Sequence, residues 1–279
     1  MNNLPIIKCI DPFDIHNYIL NNKNDKKCTW KKNIININAD IKNAFIDYEQ
    51  NFCKNTLEKI TSQSIFNKNG NYLRKLYSFQ NKCFVNYKKK IMSIGNTVLS
   101  ECPICQLDSI SSFDHYLPQS DFPQFSDNVY NLIPCCSICN SKKGEKFLDK
   151  NQQRIFINLY TDLLPKDVQF LFIRTKFLKN KIPILKYELN ETVINNSCLK
   201  RVLCNTFKHL NLCERFEKRI PSKLEILKST LHGGKSNVVS ANLLKQAIYM
   251  EKLYGINYWE AVFYRECANN LLLLSYLIL

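Results

Sequence analysis

Two pairs of cysteines with the same internal spacing stand near the middle of the chain. Cys102 and Cys105 form one C-x-x-C pair, and Cys136 and Cys139 form a second pair further along. Each pair can present two thiolates to one Zn²⁺ ion, and four thiolates complete the tetrahedral shell of a structural site. Because a closed shell leaves no open position for water, we expect this ion to stabilise the fold rather than to react. Cys135 is an alternative ligand to Cys136.

Polar residues that can do chemistry lie between and directly after these pairs. Asp114 and His115 are adjacent, and Asn131 precedes an apolar run. Asn140 directly follows the second cysteine pair. A carboxylate and an amide oxygen suit Mg²⁺, and a neutral histidine can accept a proton from water near neutral pH. These residue types together are typical of a metal-dependent phosphodiesterase.

The segment from about Cys102 to Lys146, a sixth of the chain, resembles the HNH (ββα-metal) endonuclease superfamily in its zinc-stapled form. The resemblance rests on the two C-x-x-C pairs and on three further motifs: Asp114-His115-Tyr-Leu-Pro118, Asn131-Leu132 and Asn140-x-x-Lys143. In that family a first strand carries the Asp-His pair, a loop and second strand carry the middle Asn, and a helix carries the last ligand. We therefore expect a ββα module here.

The resemblance also implies roles for individual residues. His115 is similar to the general base, and Asp114 and Asn140 are similar to the ligands of a catalytic Mg²⁺ or Mn²⁺. Asn131 is similar to the residue that orients the base. Many family members have His where this chain has Asn140, but an amide oxygen can also bind a divalent ion.

Basic residues just after the last motif are candidates for contacts with the phosphate backbone of a nucleic acid. These candidates are Lys143 and Lys146, with Lys142 as a further one.

The longer phrase around these motifs is most similar to HNH nucleases of bacterial defence against phage, such as the Septu-type nuclease that works beside an ATPase. It runs from Phe113 to Cys136 and continues in Phe156–Tyr160 and Asp162. The resemblance implies hydrolysis of DNA with a separate ATPase or sensor as partner. Gly233-Gly234-Lys235-Ser236 has only the last letters of a G-x-x-x-x-G-K-[ST] loop, so the ATPase is expected to be another chain.

Two other functions stay open at this stage. One is a zinc-stabilised nucleic-acid-binding protein without catalysis, in which the Asp-His pair is incidental. The other is an HNH nuclease that cleaves RNA. The oligomeric state is also open, and an oligomer is compatible with the sequence.

Charge and composition limit the class of protein. The net charge of +15 and the pI near 9.2 suit a polyanionic partner such as nucleic acid. AT-biased coding is an alternative source of this charge, because lysine greatly outnumbers arginine. The 13 cysteines, and a first segment without the features of a secretory leader, favour a reducing cytoplasmic location. No apolar run reaches the roughly 18 residues that span a bilayer, so we expect no membrane segment.

Periodicity predicts an α+β fold that is mainly helical, with the zinc-stapled ββα module embedded in it. Ile41, Phe45, Tyr48 and Phe52 follow helical spacing. Val168–Arg174 and Ile182–Leu189 are rich in β-branched and aromatic residues and predict a strand pair around Lys179–Lys181. Helical spacing returns from about residue 196, and the apolar tail 271–279 is expected to be a packed helix. We predict an N-terminal helical region (1–97), a nuclease module (98–150) and a C-terminal region (151–279).

Overall fold

The computed structural model describes residues 1, 3–24, 29–94, 97–178 and 182–279. It confirms a mainly helical α+β chain with small two-stranded sheets. Contacts divide the chain into two compact units. The N-terminal unit contains residues 3–104 and 108–163, and the C-terminal unit contains residues 105–107 and 164–279 together with Met1. The predicted boundaries of the nuclease module at residues 98 and 150 stay predictions.

The N-terminal unit begins with short helices and two very short strands. These are α1 (Pro12–Asn21), α2 (Lys31–Asn36), α3 (Asn38–Cys53), α4 (Ser64–Lys68), α5 (Gly70–Leu73), α6 (Lys82–Ile91), β1 (Ser93–Ile94) and β2 (Thr97–Val98). Local chemistry explains where the helices start. The Asp11 carboxylate accepts a hydrogen bond from Phe13 N at 2.7 Å and caps α1, and the Asn81 side chain caps α6 in the same way.

The core of this unit is built from aromatic rings. The predicted helical stripe on α3 is confirmed, since Ile41, Phe45, Tyr48 and Phe52 are all buried. Tyr48 packs on Phe125 with ring centroids 4.8 Å apart. Phe52 stacks on Tyr130 at 5.1 Å. Helix α3 therefore packs directly against residues 116–131, the loop between the two strands of the ββα arrangement described next.

A ββα arrangement follows. Strand β3 (Ser112–His115) pairs antiparallel with β4 (Leu132–Cys135), and α7 (Ser137–Lys143) comes directly afterwards. In the strand register, Asp114 lies opposite Ile133 and His115 lies opposite Leu132. Gly144 ends α7 with a φ of +56°, a conformation that favours glycine after a helix. The predicted order of strand, loop, strand and helix is present in the structure.

The C-terminal unit contains an antiparallel hairpin and six helices within its described residues. The elements are β5 (Leu171–Lys176), β6 (Ile184–Leu189), α8 (Ser197–His209), α9 (Leu212–Glu217), α10 (Ile220–Leu231), α11 (Ser236–Tyr254), α12 (Trp259–Asn269) and α13 (Leu271–Ile278). The predicted strand pair is confirmed, while its predicted link Lys179–Lys181 lies outside the described residues. The apolar tail forms α13, whose Leu273, Leu274 and Leu277 are buried.

Within the ranges that the structure describes, no helix has both the length and the apolar character needed to cross a bilayer.

A buried ion pair braces the base of the ββα arrangement. The Arg154 guanidinium binds both carboxylate oxygens of Asp162, each at 3.0 Å. It also lies 3.3 Å from Glu58 and donates to the Tyr116 hydroxyl at 3.2 Å. Both side chains of the Arg154–Asp162 pair are almost fully buried. Tyr116 directly follows His115, so this network holds the backbone that leaves β3.

Removing the guanidinium is therefore expected to destabilise the protein strongly. In Arg154→Met the Asp162 carboxylate stays buried without its charge partner, and we expect a loss of about 3–5 kcal/mol in the free energy of unfolding. Arg174→Met is the matched control, since the Arg174–Glu188 pair is exposed and should contribute less than about 1 kcal/mol. Urea unfolding followed by circular dichroism measures both. Equal small losses in the two variants would contradict a bracing role for Arg154.

Candidate metal centre and adjoining cleft

Four cysteines form a buried cluster. The Sγ atoms of Cys102, Cys105, Cys136 and Cys139 all lie within 4.8 Å of one another. This donor set fits Zn²⁺, which binds four thiolates tetrahedrally with bonds of about 2.3 Å. Cys135, the alternative ligand, is outside the cluster, and its Sγ lies 3.4 Å from Ser112 Oγ. Burial raises the pKa of the Cys135 thiol well above its usual range.

Local backbone geometry brings these thiols together. Cys136 is the N-cap of α7, and its Sγ accepts a hydrogen bond from Cys139 N at 3.4 Å. In the first pair, Cys102 N donates to the Asp108 carbonyl at 2.8 Å and closes the turn. Gln106 follows Cys105 with a φ of +56°, which turns the chain back. A buried group of four thiols can thus hold a metal ion such as zinc and anchor α7.

The polar residues singled out in the sequence meet beside this cluster. Asp114 and His115 lie at the end of β3, and Asn140 lies on α7. All three line one cleft of about 510 Å³. Ser112, Gln119 and Glu145 are also among its lining residues. The cleft therefore combines a carboxylate, an imidazole and an amide within a single opening.

The Asp114 carboxylate is paired with a lysine. Lys143 Nζ lies 2.9 Å from Asp114 Oδ1 and also donates to the His115 carbonyl at 2.9 Å. Both side chains of this ion pair are about 5% exposed. Burial raises the pKa of the Asp114 carboxyl, and the positive charge of Lys143 counteracts part of that rise. Lys143 thus points inward and holds the end of β3, and it is not among the exposed side chains that can reach a nucleic acid.

One hydrogen bond fixes the protonation of the His115 ring. His115 Nε2 lies 2.9 Å from the carbonyl oxygen of Ser126, which can only accept a hydrogen bond. Nε2 must therefore carry the proton. The Gln119 amide lies 2.8 Å from the same nitrogen. Because Nε2 donates, it must be the oxygen of this amide that accepts the second hydrogen bond, and the oxygen and nitrogen of an amide side chain can be exchanged in assignment. Nδ1 keeps the lone pair, as a general base requires.

The surroundings of His115 keep the ring neutral. Burial lowers the pKa of His115, the hydrogen bond to Ser126 opposes this effect, and the charge of Lys143 adds to it, so that the pKa falls to about 4. Tyr77 packs edge-on against the ring, with centroids 4.6 Å apart. The imidazole is thus unprotonated at neutral pH and held on two sides.

Asn140 offers an oxygen to the cleft. Its Nδ2 donates to Ser112 Oγ at 3.2 Å, which orients the amide. Among the described residues no group hydrogen-bonds its Oδ1. Asp114 and Asn140 together supply the carboxylate and amide oxygens that Mg²⁺ or Mn²⁺ binds, and the remaining ligands can be water. The donor set therefore fits a hard divalent ion.

Asn131 supports the site from beneath rather than lining the cleft. Its side chain is fully buried and binds the loop backbone, accepting from Leu117 N at 2.8 Å and donating to the Leu117 and Phe125 carbonyls. Tyr48 OH also donates to its Oδ1. Asn131 therefore acts on His115 through the loop that follows it, and no hydrogen bond joins the two side chains.

The remaining predicted residues lie at the surface. Lys146 is exposed and Lys142 is half-buried. Both follow or end α7, near the rim residues Gly144 and Glu145 of the cleft. These two side chains, unlike Lys143, are free to extend into solvent.

Several residues that shape the site had no signal in the sequence. Ser126 acts through its backbone carbonyl, which any residue can supply, and Tyr77 lies far from His115 along the chain. The residue after Ser126, Asp127, accepts a hydrogen bond from the buried His16 at 2.9 Å. Burial lowers the pKa of His16, but the charge of Asp127 and the hydrogen bonds to Asp127 and Asn38 together outweigh burial, so the pKa is raised. His16 thus has a structural role.

Comparisons with known proteins give two distant relatives. The Septu protein PtuB of Bacillus thuringiensis is 26% identical over 191 residues, which cover 66% of this chain and 69% of the relative. Protein ea31 of Escherichia phage lambda is 26% identical over 205 residues, covering 66% of this chain and 65% of the relative, slightly less than two thirds of its length. No protein-family model matches the chain, and no solved structure matches it. The chain is therefore a distant homologue of the Septu protein PtuB that contains a buried group of four cysteines.

Proposed function

We propose that this protein is a metal-dependent HNH endonuclease that hydrolyses DNA phosphodiester bonds in defence against phage. The observation that carries the proposal is the convergence of Asp114, His115 and Asn140 on one cleft beside the four-cysteine cluster. A protein that only binds nucleic acid has no need for a neutral imidazole next to two oxygen ligands. The homology to PtuB, a Septu protein, supports the role in defence.

In the proposed reaction the protein positions water and phosphate in the cleft. His115 Nδ1 accepts a proton as the water oxygen forms a bond to phosphorus, and the bond from phosphorus to the leaving oxygen breaks. A divalent ion held by Asp114 and Asn140 would neutralise charge on the phosphate and on the leaving oxygen. The Ser126 carbonyl keeps the base in the correct tautomer. A zinc ion held by the four cysteines would stabilise the fold and take no part in the reaction.

The Septu-type resemblance supports a separate ATPase or sensor that works with this chain in the bacterial cytoplasm. A nuclease of this kind needs control, and neither a complete P-loop nor a sensor motif is found in the sequence. Hydrolysis of RNA is the alternative for the substrate.

Binding of a divalent ion tests the proposal without relying on activity. Asn140→Ala removes one proposed ligand and leaves the Lys143–Asp114 ion pair in place. We expect the affinity of the zinc-loaded protein for Mn²⁺, measured by calorimetry, to fall at least about tenfold, since even loss of an outer-sphere partner costs that much.

Asn151→Ala, at an exposed position on the loop after α7, is the matched control and should bind Mn²⁺ like the wild type. Saturable Mn²⁺ binding that is equal in the wild type and both variants would place the ion elsewhere. No Mn²⁺ binding by the wild type would favour the alternative of a zinc-stabilised binding protein.

A further inference from the structure

One long segment of the N-terminal unit has basic residues and no acidic ones. Between residues 59 and 100 the sequence has eight lysines and arginines and no aspartate or glutamate, although the whole chain has 24 acidic residues against 39 basic ones. The eight are Lys59, Lys68, Arg74, Lys75, Lys82, Lys88, Lys89 and Lys90. Such a segment produces a positive potential that no nearby residue of its own cancels.

This segment borders the candidate cleft. Arg74 donates a hydrogen bond to the carbonyl of Gln119, a residue that lines the cleft, at 3.2 Å. Three residues further on, Tyr77 packs against the ring of His115. Phe79 then packs against Phe113, with ring centroids 5.7 Å apart. Residues 74–79 of the segment are thus in contact with β3 and with the loop that follows β3.

Helix α6 then turns its basic residues outward. Phe84, Tyr87 and Ile91 form its buried face, while Lys82 and Lys89 are exposed. No ion pair involves either lysine in the part of the chain that the structure describes. Lys90, by contrast, lines a hollow together with Asp11 and Asp14, so part of its charge is balanced there.

Two further basic side chains lie over aromatic rings near the surface. The Lys75 ammonium lies 5.7 Å from the ring centres of both Trp30 and Tyr72. Lys88 lies 4.9 Å above Phe79. These rings are only half-buried, and they hold the ammonium groups near the surface.

We propose that these basic residues bind the phosphate backbone of the DNA that enters the cleft. The lysine-rich face, defined as Arg74, Lys75, Lys82, Lys88 and Lys89, lies outside the ββα module. The lysine-rich face extends the contact with DNA onto α6 and onto residues 74–75, which precede that helix. This assignment rests on the proposed function, because it takes the cleft beside His115 as the place where DNA is cut.

The test separates DNA binding from cleavage. The parent protein has His115→Ala, so that labelled duplex DNA stays intact, and the test variant adds Lys75→Gln, Lys82→Gln and Lys89→Gln. Affinity is measured by fluorescence anisotropy between about 50 and 200 mM NaCl. Each lysine that contacts a phosphate contributes about 0.9 to the slope of log K against log salt, so the slope should fall by up to about 2.7.

The matched control adds Lys8→Gln, Lys42→Gln and Lys54→Gln to the same parent. These three lysines are exposed in the N-terminal unit near acidic residues, and the change in net charge is the same. The control should keep the parent's slope. Equal slopes for the test variant, the control and the parent would overturn the proposal that the lysine-rich face binds DNA. The proposed function would still stand in that case if the wild type cleaves DNA. A parent that binds no DNA at low salt would overturn both proposals.

Discussion

Replacing Cys136 with serine is expected to remove the bound zinc and to unfold the region around the ββα module. Zinc binding to four buried thiolates is worth roughly 10–16 kcal/mol in small zinc domains, which is as large as the whole stability of a typical domain. Cys136 also caps α7 and accepts a hydrogen bond from Cys139 N, so its loss removes the start of the helix that carries Asn140. Zinc content by mass spectrometry and thermal unfolding by circular dichroism measure the effect.

Cys135→Ala is the matched control for this variant. Cys135 is equally buried and adjacent in sequence, but its thiol faces Ser112 and not the cluster. We expect one zinc per chain and a loss of about 1 kcal/mol, as for an ordinary core substitution. Full zinc content and normal unfolding in Cys136→Ser, or loss of zinc in Cys135→Ala, would contradict the assignment of the ligands.

Replacing His115 with alanine is expected to abolish cleavage while leaving zinc content and affinity for DNA nearly unchanged. A positioned general base contributes typically 10²–10⁴-fold to a rate, so the cleavage rate should fall by about that factor. The half-buried ring is bound by the Ser126 carbonyl and packed on Tyr77, and the cysteine cluster does not depend on it. The fold should therefore survive the change.

His232→Ala controls for loss of a histidine as such. His232 is exposed and lies directly after α10, far along the chain from the cleft residues. This variant should cleave DNA like the wild type. A His115→Ala protein that cleaves at the wild-type rate would show that another group removes the proton from water.

The sequence predicted the local arrangement of the site because its motifs are short and contiguous. C-x-x-C pairs fix which thiols meet, and an Asp-His pair in a strand next to a helix-borne Asn defines a ββα arrangement. The inward orientation of Lys143 could also be predicted from the sequence. Cys139 and Lys143 are four residues apart on α7, so both lie on the buried face of that helix.

Contacts between segments that are distant along the chain could not be predicted from the sequence, and the reason is physical. The Ser126 carbonyl and the ring of Tyr77 act on His115 only after the loop and the N-terminal helices have packed. Periodicity predicts that a residue is buried, as for Tyr48, but not which residue it touches. Asn131 illustrates the limit, since its motif predicts an orienting role, while its hydrogen bonds go to the backbone of Leu117 and Phe125.

Cleavage of supercoiled plasmid by the zinc-loaded wild-type protein tests the central claim most directly. The substrate is incubated with Mg²⁺ or Mn²⁺, and EDTA is added to a parallel sample in which the zinc content is checked afterwards. We predict nicked or linear plasmid with the divalent ion and intact plasmid with EDTA while zinc is retained. Intact plasmid under both conditions, with DNA bound, zinc present and the ATPase partner added, would contradict a nuclease and leave a nucleic-acid-binding protein.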